Sequence, residues 1–461
     1  MKIILYSLPS EIYHYGTARD YMPPLSVYLL GACLFEKGYE VRIYDPSHFA
    51  IQKTDILSDV LTKKFAAQIK DNDIVCFSCN SFNWGVTKKA CEIIKSMFNV
   101  TIIVGGLHPS FFTKHIMETT KVDYIIKGEG EIVLPNLVYN ILSSRSDYSN
   151  FSGISFRHKE EIIHLPGYNQ VNLEEFSHIP APLYEQMPAN YYSSIPVEAS
   201  RGCFNSCIFC SIPNRRNRRE FPVDEIIRRI DSIDNYSELF SDSTQINFCD
   251  DCFTYNPERF NAIFDKLSTR HDGKSYFIEA RINDLLKPGI NLKVPNLHGI
   301  QIGIECGYEE GIRLVRKRTN LANLYNCLEL LEKNGLIGTA FFSFIIGFPW
   351  ETEREINLTL DTIERMCSRF NATVSLNWLI LLPSDLWNER HEFNIDLEPN
   401  MYDTPFWIHD INIFWKSHPQ ITEEIYRRVE KRIIEMQLKG YRISHPTPNF
   451  KLKEHLPGMF Q

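Results

Sequence analysis

Arg201-Gly202-Cys203-Phe204-Asn205-Ser206-Cys207-Ile208-Phe209-Cys210 puts three thiols within eight residues, in the spacing C-x-x-x-C-x-x-C. It follows directly on an apolar run at 196–200 that reads as a strand. Three thiolates on one short loop can wrap one face of a metal cluster. A 4Fe-4S cube normally takes four thiolates, one per iron, so three local ligands leave one iron open for a small molecule. The competing reading is a structural zinc knot, with the fourth ligand drawn from Cys249, Cys252 or His271. Cys249-Asp250-Asp251-Cys252 supplies the second C-x-x-C pair that such a site wants.

Working outward from this loop, strand and helix patterns alternate on both sides. Downstream, candidate strands lie at 196–200, 245–249, 275–280, 299–305, 339–346 and 373–382, with helical stretches between them. Six such units over roughly 190 residues fit a full or partial parallel barrel. Upstream, runs at 3–7, 40–45, 74–79, 101–105 and 123–127 alternate with amphipathic stretches, the pattern of a doubly wound parallel sheet with helices on both faces. Ligands of such sheets sit beyond the carboxyl ends of the strands. Here those loops hold Pro24, Ser81, Gly105, Gly106, His108, Gly128 and Glu129. The predicted organisation is a Rossmann-like α/β domain (1–145), a Ser- and Pro-rich linker with a small hairpin (146–195), a partial (β/α)6 barrel (196–390) and a helical C-terminal cap (391–461).

The chain is 461 residues long, with 57 acidic residues against 49 Lys and Arg and a net charge of -8. No global basic field exists to grip a nucleic acid. The apolar runs fall far short of the roughly 20 residues needed to span a bilayer, and Pro9 interrupts the N-terminal run before any signal-peptide core can form. A cytoplasmic protein is expected. Twelve dilute cysteines then read as reduced thiols; Cys33, Cys91, Cys327 and Cys367, in helical patterns, are expected in the core.

The cysteine loop resembles that of the radical SAM superfamily in ligand type, spacing and placement. Later segments resemble it too: 246–254 the second strand, Glu279-Ala280-Arg281-Ile282-Asn283 the third, and Gly303-Ile304-Glu305-Cys306-Gly307 the fourth-strand G-x-E-S-G pattern with Cys306 in place of Ser. Ile346-Gly347-Phe348-Pro349-Trp350-Glu351-Thr352 resembles the G-x-P-G-E-T turn, with Trp350 in place of Gly. The resemblance implies that Cys203, Cys207 and Cys210 hold a 4Fe-4S cluster, that S-adenosylmethionine (SAM) binds its open iron, and that Asp250, Asp251, Arg281, Glu305, Gly347 and Pro349 surround that SAM. A solvated turn is the plainer meaning of Asp250 and Asp251, and packing the plainer meaning of Cys306. The arginine run Arg215, Arg216, Arg218, Arg219 reads first as a solvated helix approach, and second as a clamp for a substrate anion.

Upstream, Pro23-Pro24-Leu25, Gly105-Gly106-Leu107-His108-Pro109 and Gly128-Glu129-Gly130-Glu131 resemble signatures of the cobalamin (B12)-binding domain that precedes the barrel in one large radical SAM subgroup. The D-x-H-x-x-G motif that supplies an axial histidine in many corrinoid proteins is absent; residues 11–16 read Glu-Ile-Tyr-His-Tyr-Gly. The resemblance implies a cobalamin-dependent radical SAM enzyme, foremost a methyltransferase acting on an unactivated carbon of a small molecule or biosynthetic intermediate, fed electrons by a reductant such as flavodoxin or ferredoxin. Two alternatives stay open: a radical enzyme that cyclises, rearranges or inserts sulfur, and a non-catalytic zinc-stabilised or corrinoid-carrying protein.

Overall fold

The computed structural model describes residues 1–10, 22–48, 56–145, 147–159, 161–174, 180–189, 191–212, 217–239, 245–270 and 273–446. Ile3–Tyr6 and Ile74–Ser78 are short β-branched and aromatic runs buried on both faces, the signature of central parallel strands. Val41–Tyr44, Ile3–Tyr6, Ile74–Ser78, Thr101–Gly105 and Tyr124–Ile126 pair in that order, all parallel. The pleat sends alternate side chains to opposite faces. Ile3, Leu5, Cys76 and Ile103 pack with the helix Leu25–Glu36, whereas Ile4, Tyr6, Val75 and Phe77 pack with the helix Trp84–Met97. The hairpin Ile154–His158/Glu161–His164 falls where the sequence places one and extends this sheet, antiparallel to Tyr124–Ile126.

The second sheet has seven parallel strands. Ser194–Val197, Gln245–Phe248, Ser275–Ala280, Leu297–Glu305, Ala340–Ile346 and Thr373–Trp378 follow one another, and Ile443–Ser444 adds an edge that the sequence pattern does not announce. Its two outer strands do not pair, so the barrel is open. Along Ser275–Ala280, Tyr276, Ile278 and Ala280 are buried against the helices, which leaves Ser275, Phe277 and Glu279 on the concave face. The Phe277 and Phe341 rings meet at 5.5 Å and floor the lumen. Helix starts follow local chemistry: Asn256 and Asn320 cap theirs, and Thr352 with Glu355 forms a capping box.

Cys33, Cys91, Cys327 and Cys367 are buried in helices, and all cysteines are free thiols. Among the described residues no helix is long and apolar enough to cross a membrane.

Candidate active site

The cysteine loop leaves the barrel at the carboxyl end of Ser194–Val197 and is closed at its neck by a two-stranded antiparallel ladder, Ser200–Arg201 with Arg219–Glu220. Cys203 and Cys207 are buried and Cys210 is half-buried. Asn205 turns two N–H donors toward the Cys203 sulfur, from its backbone (3.5 Å) and its amide (3.4 Å). Donors of this kind stabilise a thiolate sulfur and tune a cluster bound to it.

Asp250 and Asp251 hold the start of this loop. Asp250 is buried and accepts from the Ala199 N–H (2.9 Å) and the Ser200 hydroxyl; Asp251 accepts from the Gly202 N–H at 3.0 Å. Burial pushes the Asp250 carboxyl up to about 7 and that of Asp251 up to about 6. Asp250 is therefore a buried loop anchor and no solvated turn, while Asp251 anchors the loop from the wall of a cavity. Cys249 and Cys252, needed for the zinc reading, direct their thiols to the Val197 carbonyl (3.5 Å) and the Asp284 carboxylate (3.1 Å). His271 lies outside the described residues, and among those described no three His, Cys, Asp or Glu side chains, those of Cys203, Cys207 and Cys210 included, are grouped to hold a metal ion.

At the carboxyl end of Leu297–Glu305 the pairing register slips between Gly303 and Glu305, and Glu305 takes a φ of +72°. This bulge re-aims the side chain, and its carboxylate meets the Lys317 ammonium at 2.7 Å. Gly303 leaves the room for that contact: a Cβ there would lie 2.5 Å from the Glu305 carboxylate and 2.8 Å from the Lys317 Nζ. Arg281 donates to the Lys317 carbonyl (3.3 Å), and its buried Nε has no hydrogen-bond partner among the described residues. Lys317, Glu305, Cys203 and Arg281 all lie close enough to Cys207 to act on its charge. Sequence reasoning places Glu305 and Arg281 here but misses Lys317, which belongs to no strand motif. It also passes over Glu279, whose carboxyl burial pushes up to about 7 on the lumen face. The parity of Glu279 with Ser275 and Phe277 is the signal that could have found it.

Gly347 and Pro349 form the turn after Ala340–Ile346. The buried Glu351 carboxylate closes it by accepting from the Gly347 (2.7 Å) and Phe348 (3.0 Å) N–H groups. Trp350, at the position where the resembled turn has glycine, stacks on Phe348 at 4.9 Å. Cys306 is fully buried, in keeping with packing.

Beyond the carboxyl ends of the first sheet lies a cavity of about 490 Å³. Its first-sheet wall includes Pro24, Ser78, Asn80, Gly105, Gly106 and Gly128, and its opposite wall is formed by Arg201, Gly202, Cys249 and Asp251 beside the cysteine loop. A Cβ on Gly105 would meet nothing nearer than the Ile126 carbonyl at 3.6 Å, so this glycine keeps the wall low. Gly106 holds a φ of +101° with the Cys79 backbone against it, a position no L side chain fills without strain. Lining by Ser78, Asn80 and the glycines together with apolar Leu29, Leu30 and Leu134 suits a ligand with both amide and apolar parts.

Ser81 and His108, expected beside the corrin, lie behind this wall. The Ser81 hydroxyl bonds the His108 Nδ1 at 3.0 Å, and the ring is packed against Trp84, Phe112 and Tyr402. Burial pulls the histidine down to about 3, so it is neutral. The Ser81 carbonyl accepts from Trp407 (2.7 Å) of the C-terminal segment. Both residues thus dock that segment. Arg215 and Arg216 lie outside the described residues; Arg218 pairs with Glu220 (3.0 Å) and Arg219 with Glu129 (2.5 Å), so neither is a solvated approach.

The radical SAM superfamily model matches residues 197–363, the span holding the cysteine loop and the lumen carboxylates, and the B12 binding domain model matches residues 15–138. The chain thus carries a radical SAM domain behind a B12 binding domain. This radical SAM chain is 28% identical over 379 residues to an uncharacterized methyltransferase of Pyrococcus horikoshii, covering 79% of this chain and 78% of that one. It is 25% identical to the anaerobic magnesium-protoporphyrin IX monomethyl ester cyclase of Rubrivivax gelatinosus, over 82% of this chain and 68% of that one. Its fold matches that of the radical S-adenosylmethionine methyltransferase TsrM from Kitasatospora setae, solved with cobalamin and a [4Fe-4S] cluster bound. The TM-score is 0.69 at 13% identity, covering 97% of this chain and 91% of that one. A B12 binding domain ahead of a radical SAM domain thus explains why one cavity has walls from both.

Proposed function

We propose that this protein is a cobalamin-dependent radical SAM methyltransferase that adds a methyl group to an unactivated carbon of a small molecule or biosynthetic intermediate. The reading rests on the cavity whose one wall is the carboxyl-end loops of the first sheet and whose other wall is the neck of the cysteine loop. Two cofactor sites that share one space can act on one substrate atom without exposing a reactive carbon radical to water.

The proposed division of labour is a B12 domain over 1–145, a linker over 146–195 whose hairpin joins the first sheet, a barrel over 196–390 whose first strand begins at Ser194, and a cap over 391–461 that lends the second sheet Ile443–Ser444. Cys203, Cys207 and Cys210 hold the cluster, with Asn205 donating to the Cys203 sulfur. Arg281, Glu305, Lys317 and Glu279 surround SAM and substrate at the lumen mouth, Asp251 and the Gly347–Pro349 turn complete that mouth, and Pro24, Gly105, Gly106 and Gly128 wall the cobalamin. When bound, the cluster with SAM supplies a 5'-deoxyadenosyl radical and cobalamin a transferable methyl group. The protein positions these groups, excludes water and presents charge, while a one-electron donor of the flavodoxin or ferredoxin class supplies the reductant.

The test is anaerobic purification with added hydroxocobalamin, followed by iron, sulfide and cobalt analysis on one sample. About four irons per chain with one cobalt supports the reading, and a product heavier by one methylene unit in a substrate screen completes it. Iron without cobalt removes methyl transfer, and a product of unchanged carbon count moves the chemistry to cyclisation or rearrangement.

A further inference from the structure

The two glutamates of the Gly128-Glu129-Gly130-Glu131 segment belong to the first domain, yet their carboxylates are spent on the second. Arg201 reaches Glu131 at 2.6 Å and Glu129 at 3.4 Å; Arg219 grips both oxygens of Glu129, at 2.5 and 2.9 Å. Arg201 and Arg219 face each other in the ladder that closes the neck of the cysteine loop. No other residues lie between Arg201 and Cys203 than Gly202. The four side chains keep between 5% and 15% of their surface, so these are desolvated, charge-assisted bonds in a restricted geometry. Glu129 also lines the large cavity together with Gly128 and Gly130, and its Oε2 accepts from the Val171 N–H at 2.6 Å. One carboxylate is thus shared between the wall of one ligand site and the neck of the other.

We propose that Glu129 and Glu131 are positioning residues for the cluster loop: through Arg219 and Arg201 they fix its neck, and a corrinoid seated against Gly128–Gly130 tightens that hold, so that the cobalamin and cluster sites are coupled. The inference rests on the proposed function, both on Cys203, Cys207 and Cys210 as cluster ligands and on the cavity as the cobalamin site, and an unaltered chain that holds iron but takes up no hydroxocobalamin overturns that reading of the cavity and the coupling with it. A buried carboxylate that touches both sites gives the coupling a physical carrier, because a ligand that orders the 128–131 backbone also orders the arginines bonded to it.

The test uses the anaerobically reconstituted full chain and reads the cluster, with no turnover needed. Iron release to a ferrous chelator is timed with and without hydroxocobalamin in the unaltered protein, in Glu129→Gln, in Glu131→Gln, in Arg219→Lys and in Glu129→Gln/Arg219→Lys; the EPR line shape of the reduced cluster is recorded in each. In the unaltered protein hydroxocobalamin slows release. Each glutamate variant releases iron at least about fivefold faster, the ratio commanded by about 1 kcal/mol, loses the hydroxocobalamin effect and broadens the cluster signal. The double variant matches Glu129→Gln, because both changes break one contact. Release and line shape unchanged in both glutamate variants, or effects that add in the double variant, overturn the proposal. Should Glu129→Gln fail to fold, Glu131→Gln and Arg219→Lys carry the same comparison. An unaltered chain that binds no iron overturns the cysteine assignment and the coupling together; iron at full content with insensitive variants overturns the coupling alone.

Discussion

Glu305 and Lys317 form a buried ion pair at 2.7 Å, with the glutamate held at positive φ in a bulge and the lysine reaching in from beyond the strand. Removing one partner of such a pair leaves an uncompensated charge, at a cost of about 3–5 kcal/mol, whereas removing both is far milder. Lys317→Met is therefore expected to lower the denaturant midpoint of the cluster-free protein strongly. Glu305→Gln/Lys317→Met should recover most of the loss, and equal destabilisation in the single and double variants would show that the pair is not coupled.

Cys207 lies within reach of the charges of Lys317, Glu305 and Arg281. Cys207→Ala should abolish SAM cleavage and lower the iron content while still taking up corrinoid, because the cavity's first-sheet wall contains no part of the cysteine loop, though more weakly by the reciprocal of the proposed coupling. Deoxyadenosine formation at the unaltered rate would remove Cys207 from the cluster.

The complementary separation comes from Gly106. Its φ of +101° and the Cys79 backbone beside it leave no place for a methyl group. Strain of this kind costs of order 1–3 kcal/mol, spent in the loop that walls the cavity. Gly106→Ala should lose cobalt per chain after hydroxocobalamin loading and keep iron and sulfide.

Glu279 carries a pH signature. Burial, with Asp251 next, pushes its carboxyl up to about 7 from the ordinary 4.5. Between those values the folded state binds a proton that the unfolded state has released, so stability falls as pH rises through this window. Glu279→Gln removes that contribution, worth at most about 3 kcal/mol. The variant's stability curve should be flatter between pH 4.5 and 7 and lie above the unaltered protein's at pH 8, as followed by urea unfolding across pH.

Most of the scaffold is legible in the residues because its strands are local patterns. The runs at 74–79 and 275–280 read as strands before any packing is known. The cysteine loop is legible for the same reason, since its three ligands lie within one loop. What escapes is whatever depends on contacts between distant segments. Glu129 lies 90 positions from Arg219, and His108 far from Tyr402, so the ion pair that ties the Glu129 loop to the second domain and the packing of His108 against the C-terminal segment are invisible in the motifs around them. Ile443–Ser444 is two residues long and becomes a strand only because Val374 and Ser375 lie beside it.

Asp403 shows how the C-terminal segment is held. It accepts from the Trp84 indole (2.8 Å), Lys88 (2.7 Å) and His115 (3.0 Å), all in the first domain, while the adjacent Tyr402 hydroxyl bonds the Leu381 carbonyl (2.7 Å) of the barrel side. Gly85 gives the close approach, since a Cβ there would collide with the Thr404 backbone. Burial alone would raise the Asp403 carboxyl, but the His115, Lys88 and Trp84 donors outweigh it and hold it below the ordinary carboxylate range. Its stabilising contribution is therefore present above the ordinary carboxylate pKa and disappears as pH falls through the lowered one. Asp403→Ala leaves Lys88 and His115 half-buried without their acceptor, and should cost about 2–4 kcal/mol. Amide hydrogen exchange should then accelerate in Trp84–Met97 and in residues 399–409 together, with iron content unchanged. Acceleration confined to one side of the contact would show that the segment is held elsewhere.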